Sequence, residues 1–330
     1  MRRPSPRATA PALVALIVLA AVVAAACGGG GSAQPDWSTA PASPAGSGPA
    51  ASGPAGSAGA SSPSVIPVII GQQEKGPYRF VFSFLDPDTN LPAGSPDRTA
   101  QVAFIPPGSS EPGVAVPATF VWAIEGSRGE YVAMTEFPVA GDWKAVFITQ
   151  APDSPQEAIG VAFQVQEELP VVDIGEKGPA SVTPTMSDVG GDLKKISTDV
   201  KPDPSFYELS VSDAIAQGKP FVLIFATPAF CQSAQCGPTL ERVKKAAATA
   251  PDDIAFINVE PYQTTFTEGR LQPVLDENGQ LKSVPSVDEW GILSEPWIFA
   301  VDGDGIVRAS FEGVASDEEL KAAFETISGT

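Results

Sequence analysis

The sequence has 330 residues, a net charge of −19 at pH 7 and no histidine. Such acidity excludes nucleic acid and anionic membrane surfaces as main partners, because like charges repel. The missing imidazole removes Ser-His-Asp and Cys-His catalysis, His-liganded zinc or copper and any imidazole proton transfer, so thiols, carboxylates and backbone are the chemistry left.

Residues 1–27 read as a targeting segment. Arg2, Arg3 and Arg7 give a positive start, residues 11–23 are apolar, and Ala24-Ala25-Ala26 precede Cys27. A small-residue run ending in cysteine resembles the bacterial lipobox, in which Cys27 is lipidated and becomes the mature N-terminus. That resemblance implies a membrane-anchored protein on the extracytoplasmic side; the position three before the cysteine is Ala24 rather than leucine, and a plain signal peptide is the alternative. Residues 28–64 are built from Gly, Ser, Ala and Pro, too poor in apolar surface to offset ordering entropy. They predict a disordered tether spanning on the order of 35 Å.

From 65 to 169 the pattern changes to short apolar runs (VIPVII, YRFVFSFL, TAQVAFI, TFVWAI, EYVAMTEF, WKAVFIT, AIGVAFQV) separated by turn residues. Alternation and breakers at this spacing predict an all-β, antiparallel sandwich. Gly129-Glu130-Tyr131 through Trp143 resembles the last hairpin of Ig-like domains of exported bacterial proteins, and the resemblance implies an Ig-like sandwich. Its aromatics are at strand spacing and read as core, and it carries no evident chemistry, only a spacer or docking role. Residues 170–210, broken by Pro and Gly, read as an interdomain segment.

The third part, 211–330, begins with a short helix capped by Ser210 or Ser212 and an apolar strand at 222–225. A loop with Cys231 and Cys236 follows, then a helix opened by Gly237-Pro238, a second buried strand at 254–259, a Pro296-led strand, an Asp302-Gly303-Asp304-Gly305 turn and a final amphipathic helix after Ser316. Strand and helix alternate, which predicts βαβ crossovers and parallel pairing. Cysteines five apart in a regular helix would sit about 9 Å apart, beyond the roughly 7 Å a disulfide spans. A bond between them therefore requires residues 231–236 to be loop, with Pro238 the first helical residue and Cys236 just outside it. The Asp-Gly repeat has too few further ligands for calcium and reads as a hairpin turn; the insertion at 261–286 is a candidate lid.

Trp290-Gly291-Ile292, Glu295-Pro296 and the Asp-Gly turn fall in the order and distance of the thioredoxin superfamily, which the stretch 211–330 resembles as a CxxxxC variant. The resemblance implies an α/β fold, a cis peptide at Pro296 and a substrate-docking backbone there. It further implies Phe230-Cys231 as the aromatic-Cys pair and catalysis by Cys231 and Cys236, with Pro238, Glu295 and Pro296 in support. The superfamily's buried acid in the preceding strand has no counterpart in the apolar FVLIF, which leaves Glu295 as the candidate proton acceptor. Cys236-Gly237-Pro238-Thr239 is also similar to the helix start of copper chaperones and peroxiredoxins, but the copper role needs a histidine and the peroxidase role a placed arginine.

Two functions follow from these residues. One is an extracytoplasmic thiol–disulfide oxidoreductase acting on an exported protein or a small thiol or disulfide, with no cofactor or metal and an unidentified reducing partner. In it, Cys236 has the claim of the helix N-terminus and Cys231 that of the aromatic-Cys order. The other is a non-catalytic docking lipoprotein in which Cys231–Cys236 is a structural bond, although so short a loop stabilises by only about 2 kcal/mol.

Overall fold

The computed structural model describes residues 63–329. The expected signal segment 1–27, the lipidation site Cys27 and the tether up to residue 62 lie outside the described residues. Among the described residues, no helix is long and apolar enough to cross a membrane.

The first half is nine strands: β1 (Ile66–Ile70), β2 (Gln73–Glu74), β3 (Gly76–Leu85), β4 (Thr99–Ile105), β5 (Val116–Pro117), β6 (Thr119–Ile124), β7 (Arg128–Phe137), β8 (Gly141–Gln150) and β9 (Glu157–Gln166). They form two sheets, one in the order β1-β3-β7-β6 and the other β2-β9-β8-β4-β5. All pairs are antiparallel except β2 with β9. The alternation in YRFVFSF explains the packing. Phe80, Phe82 and Phe84 on β3 and Tyr131 on β7 point inward and meet Phe104 and Phe147 of the other sheet in one aromatic core. The first sheet is also apolar on its outer face, where Val81, Val121 and Val132 pack with Val314 of the second half. A sheet apolar on both sides needs a cover on both sides, and the second half supplies one.

That half contains α1 (Val211–Ala216), β10 (Phe221–Phe225), α2 (Cys236–Ala247), β11 (Ala255–Val259), β12 (Thr264–Thr267), β13 (Arg270–Pro273), α3 (Pro285–Trp290), β14 (Trp297–Val301), β15 (Val307–Glu312) and α4 (Asp317–Ile327). Its sheet runs β11-β10-β14-β15. Val222 and Ile224 face Leu240 and Val243 of α2 and Leu320 and Phe324 of α4. Phe221, Leu223 and Phe225 face Val211 of α1 and Trp290 of α3. Both faces of β10 are covered, which is why FVLIF is apolar without alternation.

The expected fold class, an Ig-like sandwich followed by an α/β thioredoxin-like domain, is corrected here: the protein is β-rich, and 211–330 is not assigned to that superfamily. Among the described residues fifteen strands stand against four α-helices, six of those strands in 211–329, and α1 and α3 have six residues each. The strand–helix alternation does not propagate as parallel crossovers. Among the described residues of 211–330, only β10 with β11 is parallel; β14 pairs antiparallel with β10 and β15, and β12–β13 is a separate hairpin. The Asp302 side chain accounts for the β14–β15 hairpin. Its carboxylate accepts from the backbone N–H groups of Asp304 and Ile306 and from Arg308 Nε, so it is committed to the turn.

Candidate functional site

Beyond β10 the chain turns sharply. Ala226 N–H still bonds Val259 O, and the Thr227 carbonyl then accepts from the N–H groups of Phe230 and Cys231. Residues 231–235 form a loop in which Ala234 has φ +60°, and α2 starts at Cys236. The helix therefore begins two residues earlier than expected, and Pro238 is its third residue, still inside the first turn where no N–H partner is required.

Cys231 and Cys236 form a disulfide with Cα atoms 6.0 Å apart. The loop conformation brings them inside the bonding range that a helix would exceed. They are not equivalent. Cys236 is fully buried, whereas Cys231 is half-buried and its Sγ accepts the N–H of Cys236 at 3.2 Å, as well as lying 3.3 Å from Ser233 Oγ. Cys236 thus stands at the helix N-terminus, as its first residue, and its backbone amide points at the sulfur of the more accessible Cys231.

Glu295 and Pro296 lie opposite. The Glu295–Pro296 peptide is cis, Pro296 is buried, and a Glu295 carboxylate oxygen is within 4.8 Å of both sulfurs. Its Oε2 accepts from Tyr262 Oη at 2.6 Å. Burial first, and this bond second, push the Tyr262 phenol well above its ordinary pKa, so it stays a donor. Tyr262 opens the 261–286 insertion, which reaches the site by this residue. With the two sulfurs bonded to each other, the Cys231, Cys236 and Glu295 trio offers any cation one carboxylate. Phe230 is half-buried beside Cys231 in the turn. The structure thus brings Phe230, Cys231, Cys236, Pro238, Glu295 and Pro296 into one locality.

Sequence reasoning missed the groups behind the loop. Glu260, just past β11, accepts from Thr198 N–H at 2.6 Å and Thr198 Oγ1 at 2.7 Å. Burial raises its pKa, and the bonds from Thr227 and Thr198 oppose that shift. From the other half of the molecule, β7 brings Arg128 and Glu130. Arg128 Nη1 donates to Ser233 O at 3.0 Å, and Gln235 Nε2 donates to Glu130 Oε1 at 2.6 Å. The one available signal was Glu130 itself, a charged residue at the start of the apolar run Tyr131-Val132-Ala133-Met134.

No protein-family model and no curated protein matches the sequence. Solved structures with partial likeness include a DUF4426 family protein from Pseudomonas aeruginosa (9% identity, 32% of this chain and 90% of that one, TM-score 0.23). A second is the PmoD soluble domain from Methylocystis (12% identity, 31% and 90%, TM-score 0.20). A third is a putative glycoside hydrolase from Bacteroides vulgatus (13% identity, 66% and 36%, TM-score 0.19). At these scores they carry nothing about activity.

Proposed function

We propose that Cys231 and Cys236 are a working dithiol–disulfide couple in an exported protein held at the membrane through a lipid on Cys27. The observation that carries this is the asymmetry of the pair. Cys231 is accessible and its sulfur receives the first amide of α2, while Cys236 is sealed beneath it. An amide and a helix N-terminus favour a thiolate, the reactive form of the sulfur.

Cys231 is then the sulfur that meets the partner. In the reducing direction a thiolate of a dithiol donor attacks Cys231 Sγ, the Cys231–Cys236 bond breaks and Cys236 leaves as thiolate. The donor's second thiolate attacks the donor sulfur of the mixed disulfide and releases Cys231. The donor loses two electrons and becomes a disulfide, and both cysteines end as thiols after taking up two protons. Glu295, close to both sulfurs and held by Tyr262, is placed to relay one of them.

Equilibration of the full chain with glutathione buffers tests the proposal. A reduction potential of about −200 mV is expected; a value below about −300 mV marks a structural staple, leaving an inert docking protein.

A further inference from the structure

Glu130 lies on the outer face of the first sheet with no exposed surface. Its Oε1 accepts from Gln235 Nε2 at 2.6 Å and lies 3.7 Å from Arg128 Nε, and its Oε2 has no hydrogen-bond partner. Burial pushes this carboxyl above its ordinary pKa; Arg128, the Gln235 bond and Arg79 from β3 pull it back, and Glu312 on β15 adds to the rise. A buried carboxylate with one neutral donor costs the fold free energy. Glu260 is buried with an unpartnered Oε2 as well, but its Oε1 is tied to the backbone and side chain of Thr198 rather than to the cysteine loop.

What Glu130 holds is the cysteine loop. Gln235, its donor, is the N-cap of α2 and the neighbour of Cys236. Arg128, two residues away on the same strand, holds the Ser233 carbonyl, and Ser233 Oγ touches Cys231 Sγ. The start of β7 thus grips the loop beside each sulfur.

We propose that Glu130, acting through Gln235, is a positioning residue that sets the reduction potential of the Cys231–Cys236 couple. This rests on the redox reading above. In the disulfide both sulfurs are neutral. When the bond breaks, Cys236 is released in the interior next to Gln235, and a negative Glu130 nearby disfavours its ionisation, so the reduced form gains less from thiolate at pH values where the pair would otherwise ionise. Strand β7 therefore biases the couple toward the disulfide.

Glu130→Gln keeps an oxygen for Gln235 and removes the charge. In the full chain, at a pH above the alkylation midpoint of the reduced pair, it is expected to shift the equilibrium with glutathione about tenfold toward the dithiol, about 30 mV for a two-electron couple, and to lower that midpoint. A wild-type pair that equilibrates with glutathione and a variant whose potential and alkylation profile superimpose on it overturn the role of Glu130 alone. A wild-type pair that does not reduce in glutathione overturns the redox reading as well. The infrared difference spectrum between oxidised and reduced wild type decides the matter if the variant fails to fold. A carboxylate stretching band that changes on reduction, and that persists in Glu260→Gln and Glu295→Gln, is expected; its absence overturns the proposal.

Discussion

Cys231 and Cys236 differ in one respect that experiment can read directly, which of them a partner reaches. With Cys236 replaced by serine, a mixed disulfide on Cys231 has no internal thiol to resolve it and should accumulate, visible as an adduct by mass spectrometry. Cys231→Ser, whose remaining thiol is buried, should trap little; equal trapping by both would refute the assignment. A second residue-scale prediction concerns Gly291, which ends α3 at φ +64° with its α-carbon against Pro170. An added Cβ would lie 1.7 Å from the Pro170 carbonyl oxygen. Gly291→Ala should lower stability by about 2–4 kcal/mol, read from the urea midpoint, because backbone must move as well as adopt a strained φ. The cysteines were legible because thiols are rare and Pro296 because it marks a strand entry, but that Glu295 and Pro296 lie against the sulfurs was implied only by a family resemblance, not by the residues themselves. Which sulfur faces the helix amide was not legible, since that depends on where within CQSAQC the helix starts.

At the scale of elements, α4 shows how a pattern of four residues specifies a start. Ser316 Oγ accepts from Glu319 N–H, and the Glu319 side chain reaches back to Ser316 N–H. Ser316→Ala should cost about 1 kcal/mol, measured as a shift in thermal midpoint with the redox equilibrium unchanged. This helix was readable in the sequence because Ser-x-x-Glu before an apolar stripe is a local signal. The seven longer strands of the first half were readable for a similar reason, alternation along one strand. The class of the second half was not. Alternating strands and helices suggest repeated parallel crossovers, but strand direction is set by connections, and the Asp302 turn and the β12–β13 hairpin make most of these strands antiparallel. Two-residue strands such as β2 and β5 carry no periodicity at all and exist only because a longer neighbour pairs with them.

At the scale of the whole molecule, the two halves are joined by charge as well as by Val314. Arg79 of β3 donates to both carboxylate oxygens of Glu319, at 2.6 and 3.0 Å, and to Val314 O at 2.8 Å. Arg79→Ala removes these bonds while Glu319, partly exposed, keeps its bond from Ser316 N–H, so a loss of about 1–3 kcal/mol is expected. Acid pH acts on the same body through its buried carboxyls. Burial raises the pKa of Glu130, Glu260 and Glu312 in the folded state. Above the ordinary carboxylate pKa of about 4.3, the folded state therefore holds protons that the unfolded chain has released. Stability from these groups is present at and below that pH and is lost as pH rises through their folded values. Glu260→Gln cannot ionise, so its thermal midpoint relative to wild type should climb between pH 4.5 and pH 8, with the advantage largest at the alkaline end. A difference that stays flat across that range would mean that Glu260 is already ionised in the fold at pH 4.5, its charge fully supported by Thr198 and Thr227 rather than opposed by burial.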